Sequence, residues 1–157
     1  MKKVISGSAA LIMVCTLLSC GGKKDPMAYN NELMTVINSE EAHINEMNSA
    51  MQSKKFDEAE KVVLKWGDAV KEDIKKVEKI GDFNGDDQLQ QAILKGLKGY
   101  GKIVSDDYPK LIAIRKSSTQ DPVAEQRLLD NINKAFEDMA NGVNVASDKF
   151  EKDYAKK

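Results

Sequence analysis

The sequence predicts an all-α protein, an antiparallel up-down-up-down four-helix bundle with a kink in its third helix at Pro109. Three observations carry this. From Pro26 onward, apolar residues recur at spacings of three and four, which is the period of one helix face. Lys, Glu, Ala and Leu are plentiful while aromatics and prolines are few, a composition that favours helix. The connections between the periodic stretches are short, and short connections between long helices force antiparallel neighbours.

The first helix is expected over about 26–52. Pro26 stands near its start, where a missing N–H costs nothing, and Leu33, Ile37, Ile44, Met47 and Met51 form the stripe, with Glu40 falling among them. The second, about 55–80, carries Phe56, Ala59, Val63, Trp66, Val70, Val77 and Ile80, with one gap filled sideways by Ile74. That is a seam at heptad period. Gly81-Asp82-Phe83-Asn84-Gly85 breaks it with residues that favour turns.

The third helix opens at Asp86 or Asp87, and Asp87 with Gln90 has the form of a capping box. Its stripe runs Leu89, Ile93, Leu97, Tyr100, Val104, Tyr108, Leu111, with Pro109 inside it. Proline deletes one backbone hydrogen bond and clashes with the carbonyl four residues back, at about 3 kcal/mol in a straight helix. Because the apolar phase continues across Pro109, a kink is expected and not a chain reversal. After 116–120, Asp121-Pro122 is a strong helix start. The fourth seam is Leu129, Ile132, Phe136, Met139, Val143, Ala146, Phe150. The same heptads would also allow two helical hairpins that complete a core by dimerising; a monomer is the expectation.

The start of the chain reads as a processing signal. Lys2 and Lys3 precede an apolar run from Val4 to Leu18, of secretory length and too short to remain as a membrane-crossing helix. Leu17-Leu18-Ser19-Cys20 closes the run and resembles a bacterial lipobox. Residues 1–19 are thus expected to be a removed signal peptide, Cys20 the lipidated residue, 20–25 a flexible tether, and 26–157 the helical domain. Cys15 lies in the discarded run and Cys20 would be acylated, so no thiol remains for a disulfide, a metal or nucleophilic catalysis. The expected partner is the membrane, through a diacylglycerol and acyl chains on Cys20. Lys24-Asp25 resembles a fragment of the basic-acidic tethers that export lipoproteins across an outer membrane. The expected location is therefore the outer membrane, at the cell surface in preference to the periplasmic face.

Losing Lys2 and Lys3 takes the basic residues from 24 to 22 against 25 acidic ones, a formal charge of −3. Such a balance gives no reason to expect nucleic acid as a partner.

Tyr29-Asn30, Gly85-Asp86-Asp87 with Leu89, Tyr108-Pro109 with Leu111-Ile112, and Ala146 with Phe150 together resemble a family of small bacterial surface lipoproteins of unknown function. The resemblance spans nearly the whole chain after Cys20. It implies a helical, lipid-anchored domain and supplies no catalytic residues.

Several local patterns invite chemistry. Gly96 to Lys102 has the glycine and lysine spacing of a phosphate-binding loop, but Ile103 stands where Ser or Thr would hold Mg²⁺ and the preceding residues are helix-periodic. Gly96, Gly99 and Gly101 are read instead as close-approach points, and Gly96, Gly99 and Pro109 as a candidate groove. Asp82, Asn84 and Asp86 alternate like a calcium loop, yet the glycine comes too early and the twelfth position is Ile93. Glu40 and His43 form one Glu-x-x-His; a di-iron bundle needs two, and His43 is the only histidine. His43, Met47 and Met51 follow at intervals of four, a soft ligand set suited to Cu(I) or a haem iron, although methionine on a core stripe is ordinary filler. No Ser-His-Asp set or zinc motif is present. The expected function is a non-catalytic binding or structural module with no cofactor. The alternative is a carrier of a small ligand, copper or haem in the bundle core near Glu40, His43, Met47 and Met51.

Overall fold

The computed structural model describes residues 24–119 and 121–155, so the signal region, Cys20 and most of the tether lie outside it. The described chain folds as an all-α four-helix bundle built of four rods. The first is α1 (Pro26–Asn38) followed, after the single residue Ser39, by α2 (Glu40–Gln52); the second is α3 (Phe56–Ile80). The third joins α4 (Gln88–Lys102), a π-helical turn (Ile103–Asp107) and α5 (Tyr108–Lys116). The fourth is α6 (Pro122–Phe150), ending in a second π-helical turn (Glu151–Ala155).

Local chemistry explains the ends. Asp25 accepts from Ala28 N at 2.7 Å and Asp121 from Ala124 N at 2.9 Å, each capping a helix whose first residue is proline. The first reversal turns on Lys54, a non-glycine residue at φ 56°, with Lys55 N donating to Ala50 O at 2.9 Å. In the second, Asn84 (φ 54°) and Gly85 (φ 96°) form the left-handed pair of a type I′ turn. Phe83 and Asp86 exchange backbone hydrogen bonds of 2.8 and 3.0 Å across it. The expected capping box does not form. Asp86, not Asp87, accepts from Gln88 N at 3.0 Å, and Gln90 turns inward to donate to Val77 O.

Pro109 is the second residue of α5, directly after the first π-helical turn, in which Tyr108 N reaches back five residues to Ile103 O. The wider turn spreads the buried face, so Ile103 with Val104 and Tyr108 with Ile112 all reach the core. The ends of the rods meet in definite pairs. Tyr29, near the start of α1, donates to Gly81 O at the end of α3. Lys116, at the end of α5, reaches Asp57 and Glu60 at the start of α3. Tyr154 donates to Asp86 beside the start of α4.

The core falls into two clusters. One gathers Met47, Met51, Trp66, Val70, Ile103, Tyr108, Leu111, Ile132 and Met139; the other gathers Tyr29, Leu33, Ile37, Val77, Phe83, Leu89, Ile93, Leu97 and Phe150. In α6 it is Leu128 that is buried, with the expected Leu129 only half-buried. A strict heptad drifts by about 20° per repeat around a straight 3.6-residue helix, so the seam slides toward the neighbouring position at this end while Ile132, Met139, Val143 and Phe150 stay buried.

Candidate functional site

A polar layer crosses the core where α1 hands over to α2. The break at Ser39 makes Glu40 the first residue of α2, and the stripe phase drives its side chain inward until it is fully buried. Trp66, also fully buried, donates its indole N–H to Glu40 Oε2. Glu40 Oε1 has no hydrogen-bond partner among the described residues. Asp73, 4% exposed, occupies the position on α3 that the sequence presents as a gap in the seam. It accepts from Ser39 Oγ at 2.8 Å and from Lys76 Nζ at 2.6 Å.

The electrostatics follow from this placement. Burial pushes the Glu40 carboxyl up to about 7, the Trp66 N–H opposes that rise, and the nearby Asp73 charge adds to it. Below neutrality Glu40 is therefore a neutral acid with a proton to donate, and Asp73 lies beside it. Tyr100 and Tyr108 pack on Trp66 with ring centroids 6.0 and 5.7 Å away. Burial raises both phenols, Tyr108 to about 12 and Tyr100 with a further push from the Glu40 charge.

His43 lies one turn beyond Glu40, stacked on Trp66 at 6.3 Å, with its Nδ1 3.8 Å from Glu46 Oε2 and without a hydrogen bond. Met47 and Met51 are both buried in the Trp66 cluster. Glu40, His43 and Trp66 are thus brought together, while the two methionines continue down the same face into the core. Among the described residues no group of three or more His, Cys, Asp or Glu is placed to hold a metal ion.

The glycines are contact points. A methyl group on Gly96 would stand 2.8 Å from Ile37 Cδ1, and one on Gly99 would stand 2.9 Å from Met139 Cγ. Ile37, Met139, Val143 and Tyr100 line a shallow cleft of about 250 Å³, and none of Gly96, Gly99 and Pro109 lines it. A larger groove of about 500 Å³ runs between α4 and α6, floored by Leu89, Ala146 and Phe150 with Asp87 and Lys149 on its rim. Another of about 340 Å³ lies at the opposite end, between Met51, Phe56, Ile114, Arg115 and Glu125.

The sequence pattern places Glu40 and Trp66 on inward faces and His43 beside the stripe, and it does not reveal Asp73. The available signal was an acidic residue at a heptad position seven after Trp66. Among the described residues no helix is long and apolar enough to cross a membrane. Comparison with protein-family models, with curated proteins and with solved structures found no match.

Proposed function

We propose that the protein is a lipid-anchored envelope module without catalytic activity, moored to the outer membrane through acylated Cys20 and facing the cell surface in preference to the periplasm. It works as a monomer, by binding another envelope or host component through its outward surfaces. The observation that carries this reading is the order Lys2-Lys3, apolar run, Ser19-Cys20, placed six residues before Pro26. The resemblance to small surface lipoproteins supports it. The absence of catalysis is supported by the enclosure of the one unusual acid, Glu40, which no substrate can reach, and by a single histidine in the chain. In the same reading the rods run up-down-up-down and the third bends at Pro109. The end pairings of Tyr29, Lys116 and Tyr154 favour the first point, and the π-helical turn before Pro109 favours the second.

The test is a Cys20→Ser chain expressed in a lipoprotein-processing bacterium. The wild type should sediment with membranes and the variant should be released; equal sedimentation of the two overturns the anchor. The carrier reading is favoured by one observation, the unpartnered Glu40 Oε1 and His43 Nδ1. Titration with Cu(I) decides it. Binding to the wild type that is lost in His43→Ala supports a carrier, and equal weak binding removes it.

A further inference from the structure

We propose that the bundle meets the bilayer with one defined end, the end made by Lys24, the 81–87 turn and the last turns of α6. The opposite end, at residues 53–57, 115–119 and 121–122, then points away from the membrane. This rests on the lipid-anchor reading and adds to it which surface faces lipid and which is free for a partner.

The argument begins at Lys24. Its ammonium donates to Ile80 O at 2.8 Å and to Asp82 O at 2.6 Å, and lies 5.2 Å from the centre of the Tyr29 ring. Ile80 O is one of the last carbonyls of α3, which have no partner within the helix and carry the negative end of its dipole. A lysine is the natural cap for such a group. One residue on, Asp25 caps α1, and three beyond Pro26 the Tyr29 hydroxyl donates to Gly81 O at 2.9 Å. The entry of the chain is thus fixed against the end of α3 by two side chains, Lys24 and Tyr29, while Asp25 fixes the start of α1 between them.

From Cys20 to Lys24 the chain spans at most about 14 Å. If Lys24 lets go, the reach to Pro26 is still only about 21 Å. The 25 residues of α3 make a rod about 38 Å long. The lipid therefore cannot sit at the far end of the bundle. Among the described residues the large exposed apolar side chains are Met27 on α1, Leu64 on α3, and Val123 and Val145 toward opposite ends of α6, so they form no contiguous flank patch to hold the rods flat on a bilayer. Charge does not do it either. The near end mixes Lys24, Lys79, Lys149 and Lys152 with Asp82, Asp87, Glu151 and Asp153, four of each sign, and such a balanced mixture has no net attraction for anionic lipid. The tether alone sets the orientation. The outward end then carries the groove of Met51, Phe56, Ile114, Arg115 and Glu125 some 35 Å or more above the lipid, by about the length of one rod.

Single cysteines at the exposed positions Lys79→Cys and Ser118→Cys, labelled with a fluorophore in the lipidated protein, test this in vesicles whose lipids carry a headgroup nitroxide quencher. Helical circular dichroism like the wild type's shows that each variant is folded. The label at 79 should lose most of its emission and the label at 118 little. A Gly-Ser insert of about twelve residues after Gly22 should narrow that difference, since flexible linkers extend as the square root of their length. Equal quenching, reversed quenching, or a difference indifferent to the insert overturns the orientation. The wild type serves as control, because an acylated Cys20 takes no thiol label. Labelling of the wild type, with failure to float with vesicles, shows instead that the anchor itself is wrong.

Discussion

The two halves of the core treat their polar groups differently. Around Tyr29, Phe83 and Phe150, the buried polar atoms are paired across elements. Tyr29 donates to Gly81 O, Gln90 to Val77 O, and Asn30 lies between Glu151 and Ser147 at 2.9 and 3.1 Å. Around Trp66 the same bundle leaves Glu40 Oε1 and His43 Nδ1 without partners, and it is there that the third rod loosens into a π-helical turn. A satisfied network rigidifies a fold, whereas a part-satisfied one costs stability and is sensitive to conditions. The Tyr29 half reads as a closed foot for the molecule. The Trp66 half holds Glu40, whose buried carboxyl is pushed up to about 7.

The sharpest way to break this contrast is to remove its centre. Trp66→Ala deletes the largest buried side chain and strands both Glu40 oxygens, and should lower the unfolding free energy by about 4 kcal/mol in urea titration. A loss under about 1 kcal/mol would show that the Trp66 half does not depend on this contact. Next comes Glu40→Gln. The carboxyl of the folded protein titrates at about 7 against an ordinary value of 4.5, so the folded state holds a proton that the unfolded chain gives up. Its contribution is fully present below pH 4.5 and is lost as pH rises through 7. The variant should match the wild type near pH 4.5 and exceed it at pH 8 by about 3 kcal/mol. A stability difference that does not change with pH would sink the neutral-acid account.

In the Tyr29 half the corresponding change is smaller. Tyr29→Phe removes one hydrogen bond to Gly81 O and should cost about 1 kcal/mol by the same denaturation, with no added pH dependence between 4.5 and 8. The smallest effects belong to the glycines. Gly101→Ala meets only Val70 Cγ1 at 3.5 Å and should gain about 0.5–1 kcal/mol from helix propensity. Gly96→Ala, pressed on Ile37 Cδ1, should gain nothing or lose about 1 kcal/mol. Equal gains at both positions would mean that the glycines are not contact points.

Much of this architecture is legible in the residues. Period, turn chemistry and the Pro26 and Asp121-Pro122 starts locate the four rods to within a residue or two, because each signal is local and agrees with the others. The core stripe of α6 keeps Ile132, Met139, Val143 and Phe150 and differs at its start alone, where Leu128 is buried in place of Leu129, since a heptad count cannot register the straightness of a helix. Asp73 is not legible in the sequence, because an acid on a seam has meaning only through partners on other elements. Here those partners are Ser39 and the neighbouring Glu40, with Lys76 of the same helix beside them. The π-helical turn had one indirect sign, Pro109 inside an unbroken apolar phase. The unpaired atoms of Glu40 and His43 had none, since hydrogen bonding in a core is decided by packing between elements far apart in sequence.

The proposal that gives this fold a place and a task rests on one covalent bond. Mass spectrometry of the N-terminal peptide, from protein purified out of the membranes of a lipoprotein-processing bacterium, tests it most directly. The mature chain should begin at Cys20, with a diacylglyceryl thioether and an acylated amine; a chain that begins elsewhere, or a Cys20 with a free thiol, would contradict it.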